Sequence, residues 1–302
     1  MKNKNHIRLT GAEKGYQSFI YTFMVLLLAT SLFPLIYVVC LSFTSQQEIY
    51  QRGAMMVVPH KPTIIAYKQI LGNGTAYIRA FGVSLLRTAV GTASTTFFSM
   101  ILGYGLSRRD IPGKRVMLFL VMVTVLYGGG LIPTFLVING TGLLDSFWSM
   151  IIPSLVNSWN VLVFKQFFQN LPDEIEEAAH IDGCSETRML FSIVLPMSLP
   201  VLAALALFAA VGHWNSWFDA MIYIQSNTQW YPLQLLLQNL FTNANLGFSM
   251  NGIEVFDIEA TQSSGTSMRM ALTVIGTLPI LCVYPFLQKY FVKGVYAGAV
   301  KG

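Results

Sequence analysis

Six apolar stretches, each about 20 residues long, constrain this chain more than any other feature. They run over Phe19–Leu41, Phe81–Leu106, Val116–Ile138, Ser149–Phe168, Leu199–Tyr223 and Met268–Leu287. One such stretch can be a buried helix of a large soluble core. Six in 302 residues leave too little polar surface to cover that core, since only 11% of residues are charged and mean hydropathy is +0.55. Hydrocarbon offers no partner to backbone N–H and C=O groups, so each crossing segment must satisfy its own as a helix. The expectation is an all-α polytopic membrane protein with six transmembrane helices, and the lipid bilayer is its first partner.

Orientation follows from lysine and arginine. Lys2, Lys4, Arg8 and Lys14 precede the first span, Arg108, Arg109, Lys114 and Arg115 join spans two and three, and Lys289, Lys293 and Lys301 follow the last. No basic residue lies between Ile138 and Ser149 or between Tyr223 and Ser267. Both termini are therefore expected in the cytoplasm. Residues 1–18 form an N-terminal segment, 19–291 the six-span domain and 292–302 a tail. The net charge of +5 expresses this retention signal and does not call for nucleic acid. The first span carries no small-residue cleavage site, as expected of an uncleaved anchor.

Between spans four and five lies a polar island, residues 170–198. Asp173, Glu174, Glu176, Glu177, Asp182 and Glu186 are six of the fourteen acids in the chain. Pro172 and the acids after it suit a helix start, where a missing N–H costs nothing and negative charge meets the positive dipole end. Ala178 and Ala179 carry that helix to Gly183, which can adopt the left-handed conformation that stops it. Ser185 can cap a second helix running through Leu190, Phe191 and Ile193 toward Leu195-Pro196. The product is a cytoplasmic helix, a tight turn and a helix, with little bulk near the turn. A solvated surface hairpin and an elbow docked in a partner's groove both fit this composition.

Other features bear on a pathway. Gly128-Gly129-Gly130 followed by Pro133 should break or bend span three, freeing backbone groups that need protein or water partners; a broken helix lining a pathway and a simple packing kink both fit. Span five ends with His213, Trp214, Asn215, Trp217, Phe218 and Asp219, polar and aromatic for a membrane segment. Rings offer flat faces to sugars and Asn215 can donate and accept, while Trp217 and Phe218 also suit an interfacial belt. Arg87 in span two is expected to snorkel to the outer boundary. Ile64–Leu71 should form a short outer helix, and the polar stretch from Gln225 to Ser267 a lid or partner-binding loop. Cys40, Cys184 and Cys282 have no metal-ligand spacing and read as small packing residues.

The chain lacks GxxxxGK[ST], HExxH and GxSxG, so neither catalytic residues nor a cofactor is expected. Of the acids only Asp219 falls inside a span, which offers little for a proton relay. An ion-coupled secondary carrier is thus the weaker alternative.

The order Glu177-Ala178-Ala179, then Gly183, Ile193 and Leu195-Pro196, resembles the coupling-loop signature (the EAA motif) of ABC importer permeases. With the six-span plan, Arg108–Arg115, Gly128–Pro133, Trp214-Asn215 and the tail ending Gly298–Gly302, the whole chain resembles the carbohydrate-uptake branch, specifically the second permease of maltose-type transporters. Cys184 stands where many relatives have alanine. The resemblance implies a bacterial plasma (inner) membrane subunit forming half of a pathway for a sugar or oligosaccharide, with other ABC cargoes as the alternative. Implied partners are a second homologous permease, a cytoplasmic ABC ATPase dimer and an extracellular or periplasmic solute-binding protein. Glu177, Ala178, Ala179, Asp182, Gly183, Ile193, Leu195 and Pro196 would couple to the ATPase, and the tail is a further contact. Trp214, Asn215, Asp219, Gly129 and Pro133 are the substrate-path candidates.

Overall fold

The computed structural model describes residues 11–53, 56–72, 75–108, 111–242, 249–250, 253–254 and 265–299. Lys2, Lys4, Arg8, Arg109, Asn73-Gly74, most of the polar stretch beyond Thr242 and Val300–Gly302 lie outside the described residues. The chain separates into two compact units, residues 1–70 with 257–274 and residues 71–256 with 275–302.

In the first unit, α1 (Gly11–Ser42) presents almost its whole length: only 6% of its most apolar stretch is buried. After it, α2 (Gln46–Arg52) starts where Ser45 Oγ accepts the Glu48 N–H at 3.3 Å and stops at Gly53, whose φ of 75° suits glycine. The Glu48 carboxylate then organises the following loop, accepting from the backbone N–H of His60 at 2.7 Å and from Arg52 Nη1 at 2.7 Å. The His60 N–H contributes most to holding its pKa below the usual carboxylate range. The expected outer helix is α3 (Ile65–Gly72). Phe43 and Tyr67 pack with ring centroids 5.0 Å apart, and Ser267 Oγ donates to Thr44 O at 2.6 Å.

The second unit is built on α4 (Thr75–Ser107), a 33-residue helix with no proline. Two glycines let its neighbours approach closely. A Cβ on Gly103 would lie 2.7 Å from Phe164 Cβ, and one on Gly91 would lie 2.6 Å from the His213 ring. The next span is broken as expected: α5 (Lys114–Leu126) and α6 (Leu131–Gly140) bend by 118°. Gly130 has φ +83°, which favours glycine, and Pro133 sits in the first turn of α6, where no intrahelical donor is lost.

Two short 3-10 turns, Phe147–Met150 and Ile152–Ser154, precede α7 (Ser158–Gln169) at a bend of 44°. Then come α8 (Asp173–Ile181), α9 (Glu186–Met189), a π turn (Leu190–Val194), α10 (Leu195–Met197) and α11 (Leu199–Asn215), with an 84° bend at Ser198. Span five, expected to reach Tyr223, stops at Asn215: Ser216 is extended, and α12 (Phe218–Tyr223) is separate. The polar stretch after Gln225 holds an apolar helix, α13 (Leu233–Thr242), with Leu233, Leu235, Leu236 and Leu237 buried and the Leu233 N–H on Ser84 Oγ of α4 at 2.8 Å. Ser249–Met250 and Ile253–Glu254 pair as two-residue antiparallel strands. The last helix, α14 (Gly265–Ala299), passes through the expected 291/292 boundary without interruption.

Among the described residues three helices, Gly11–Ser42, Ala76–Ser107 and Gly265–Tyr284, are long and apolar enough to cross a bilayer, and each bent pair adds one if it counts as a span.

Candidate functional site

The polar island folds as its local chemistry dictates. Pro172 precedes α8, and Ser185 Oγ accepts the Arg188 N–H at 3.4 Å to start α9. Between them Gly183 has φ +72°, its N–H donates to His180 O at 3.0 Å, and the Cys184 N–H donates to Ala179 O at 2.9 Å. This pair of bonds is a Schellman stop, which satisfies carbonyls that α8 would otherwise leave open. Leu195 donates its N–H to Leu190 O across the π turn, after which Pro196, having no N–H, needs no acceptor.

The elbow has an inner and an outer face. Ala179, Met189, Leu190 and Val194 are buried in one core with Met100 and Tyr104 of α4, Phe164 and Phe168 of α7 and Leu205 of α11; Ile193, Leu195 and Cys184 pack against it. Glu177, Ala178, Asp182, Gly183 and Pro196 are exposed. Ile181, at the tip, is 86% exposed, a large apolar side chain between His180 and Asp182 in the sequence.

Arg108, just beyond the end of α4, fastens the elbow. Its guanidinium pairs with Glu176 of α8, lies 3.5 Å from a Glu186 oxygen of α9, donates to the Tyr104 hydroxyl and sits 4.3 Å from the Tyr104 ring centroid. Tyr104 OH in turn donates to Glu186 at 2.9 Å, and His180 Nε2 lies 3.5 Å from the other Glu186 oxygen. These groups line a polar cleft of about 770 Å³. Sequence reasoning uses Arg108 as an orientation signal and as part of the Arg108–Arg115 turn, not as a fastening of the elbow. The available hint was Tyr104 and Arg108 four apart on one helix, but their acidic partners lie 68 and 82 positions away.

The substrate-path candidates do not form one cluster. Trp214 is buried, with its ring edge-on to Phe81 and Nε1–H donating to Gly276 O at 2.9 Å. It lines an apolar cleft of about 520 Å³ between α4, α11 and α14. Asn215, Gly129 and Pro133 are exposed. Asp219 accepts from Ser216 Oγ at 2.8 Å and from the Ala220 N–H at 2.9 Å, and it pairs with Arg87. Arg87 therefore does not snorkel: it is 2% exposed and also donates to Ser216 O at 3.0 Å, because the break after α11 supplies a carboxylate and a free carbonyl at its level. Nor do all cysteines pack, since Cys282 is exposed. Among the described residues no group of histidine, cysteine, aspartate and glutamate could hold a metal.

Asp145, outside the apolar stretches, makes a third polar joint. It has φ +56°, and its carboxylate accepts from the backbone N–H groups of Gln225, Ser226 and Asn227 at 2.6, 2.7 and 3.1 Å. These bonds, led by Ser226, hold its pKa below the ordinary carboxylate value.

Comparison with known proteins places this geometry. Residues 95–296 match the family described as binding-protein-dependent transport system inner membrane component. The polygalacturonan/rhamnogalacturonan transport system permease protein YtcP of Bacillus subtilis (strain 168) is 38% identical over 95% of this chain and 98% of its own. Protein LplC of the same organism is 42% identical over 91% and 90%. Among solved structures, a chain of a bacterial ABC transporter involved in the import of the acidic polysaccharide alginate superposes with a TM-score of 0.85 at 25% identity, covering 94% of this chain and 99% of that one. Permeases of this kind are transport components, not enzymes, and work with a second permease, an ATPase and a solute-binding protein. The chain thus belongs to the family of binding-protein-dependent transport system inner membrane components, as a membrane-embedded permease subunit of an ABC importer.

Proposed function

We propose that this subunit takes a sugar or oligosaccharide inward and that its elbow is the part a cytoplasmic ATPase grips. Glu177, Ala178, Ala179, Asp182, Gly183, Ile193, Leu195 and Pro196 define that elbow: Ala179, Ile193 and Leu195 seat it, and the others shape its free face. The carrying observation is Ile181, an apolar side chain 86% exposed at the tip of an element anchored on its opposite side. Buried apolar anchors dominate protein interfaces, and acids around one set register. On this reading both termini and the elbow face the cytoplasm, residues 1–18 and 292–302 flank the membrane domain 19–291, and the break after α11 faces outward. Asn215, Gly129 and Pro133, with Trp214 and Asp219 behind them, then line the approach of cargo.

The relatives' cargoes support the sugar assignment: YtcP is a polygalacturonan/rhamnogalacturonan permease and AraQ of Bacillus subtilis an arabinooligosaccharide permease at 26% identity. UgpE of Pectobacterium atrosepticum, also 26% identical, handles sn-glycerol-3-phosphate, which makes it the informative control. The test has two arms. Gly183→Arg and Ile181→Asp should each reduce ATPase co-purification about tenfold or more while leaving the chain in the membrane; normal co-purification refutes the docking assignment. Labelled oligogalacturonides and arabinooligosaccharides should enter cells that carry the transporter and not a deletion strain, whereas entry of glycerol phosphate alone refutes the cargo assignment.

A further inference from the structure

We infer that Arg108 is a positioning residue that makes the elbow and α4 move as one body, and that α4 delivers this motion to the break between α11 and α12. The inference rests on the elbow being the ATPase contact.

At the elbow end, a single side chain from outside the elbow holds both of its helices, through Glu176 on α8 and Glu186 on α9. The apolar contacts of Ala179, Met189, Leu190 and Val194 hold the elbow against the core but are non-directional and allow it to slide. A guanidinium stacked on Tyr104, paired with Glu176 and tied to the half-exposed Glu186 chiefly through the Tyr104 hydroxyl, which donates to it at 2.9 Å, fixes direction as well as distance. Arg108 and Glu176 side chains are only 16% and 28% exposed, so solvent weakens their pairing less than that of a surface pair.

From Arg108 the helix runs back to Arg87, 21 positions earlier and about 32 Å along the axis. No proline interrupts α4, and its remaining points of give are small residues such as Gly91 and Ser94, whose hydroxyl donates to Val90 O at 2.7 Å. Gly103 and Gly91 bring α7 and His213 within contact of its backbone, so α4 cannot bow without displacing them. At the far end Arg87 grips Ser216 O, on the residue that ends α11, and Asp219, in the first turn of α12. One continuous helix therefore links two arginine joints: Arg108 just past its end, fixed to the elbow, and Arg87 within it, beside Trp214 and Asn215. A push on the elbow is felt at Ser216 and Asp219 only as far as Arg108 holds.

The test uses the assembled transporter with its second permease and ATPase in nanodiscs. Cys40, Cys184 and Cys282 are replaced by serine, and Met221→Cys on α12, an exposed position, serves as the reporter. Its maleimide labelling rate should differ about tenfold between the nucleotide-free state and the state trapped with ATP and vanadate. Arg108→Gln should abolish that difference while the ATPase stays in the complex at its normal ratio, and Arg108→Lys should restore part of it. Glu176→Gln with Glu186→Gln should act like Arg108→Gln, and the triple variant should be no worse, because all three changes remove one joint. The inference is overturned if labelling stays nucleotide-sensitive in Arg108→Gln, is insensitive with Arg108 intact and ATPase bound, or falls additively in the triple variant. It is also overturned if Arg108→Gln expels the ATPase, which would make Arg108 a docking residue. Absence of the ATPase from the Arg108-intact complex instead refutes the docking assignment, and this inference with it.

Discussion

Gly103→Ala puts one methyl group where two helices already touch. The new Cβ would lie 2.7 Å from Phe164 Cβ, 3.0 Å from Val161 O and 3.2 Å from the Lys165 N, all on or next to the α7 backbone, so no side-chain rotation relieves the clash and the helices must separate. Overpacking of this kind costs about 1–3 kcal/mol. Against it stands the better helix propensity of alanine, roughly 1 kcal/mol, leaving a net loss of about 0–2 kcal/mol. Gly105, two residues on, is the internal control: its added Cβ meets nothing within 4 Å, so Gly105→Ala should gain about 0.5–1 kcal/mol. At about 2–4 °C per kcal/mol, thermal unfolding of the detergent-solubilised protein should move down for the first variant and up for the second. Equal shifts in the same direction would refute the claim that α4 and α7 meet at Gly103.

The buried pair should behave asymmetrically. Asp219→Asn leaves the Arg87 charge without its counter-ion and should cost about 3 kcal/mol, while adding Arg87→Met should recover most of that loss; the four melting temperatures of the cycle measure it, and additive losses would contradict the pairing. Acidification should release Asp145: its folded pKa lies below the unfolded value of about 3.9, so its contribution is complete above that value and disappears as pH falls through the folded pKa. The protection factors of the Gln225, Ser226 and Asn227 amides should fall below about pH 4, and Asp145→Asn should remove that pH dependence.

How much of this was legible in the sequence depends on how local the cause is. The elbow was readable because its signals act within a turn or two: acids at the α8 start, Gly183 at φ +72° and Ser185 capping α9. The break at Gly128–Gly130 was readable for the same reason, though not its angle of 118°. Arg87 was misread as snorkelling because its partner is 132 positions away and exists only where Ser216 interrupts α11. Arg108 was seen as a topogenic charge because nothing in its own neighbourhood announces Glu176 or Glu186. α13 was hidden inside a polar stretch, where five leucines were too few to outweigh the surrounding Asn, Gln, Ser and Thr. The exposure of Ile181 was invisible because spacing alone marks an isoleucine between alanines and a glycine as a buried residue.

The π turn at Leu190–Val194 takes up one residue more than an α turn, with the Leu195 N–H reaching back five positions to Leu190 O. Pro196 keeps it from drifting forward, since the next residue has no proton to offer a shifted ladder. The segment then enters the 84° bend at Ser198 with its hydrogen-bond register already fixed. Removing one residue here would let an ordinary α turn close the gap, so the side chains of α11 would keep their places.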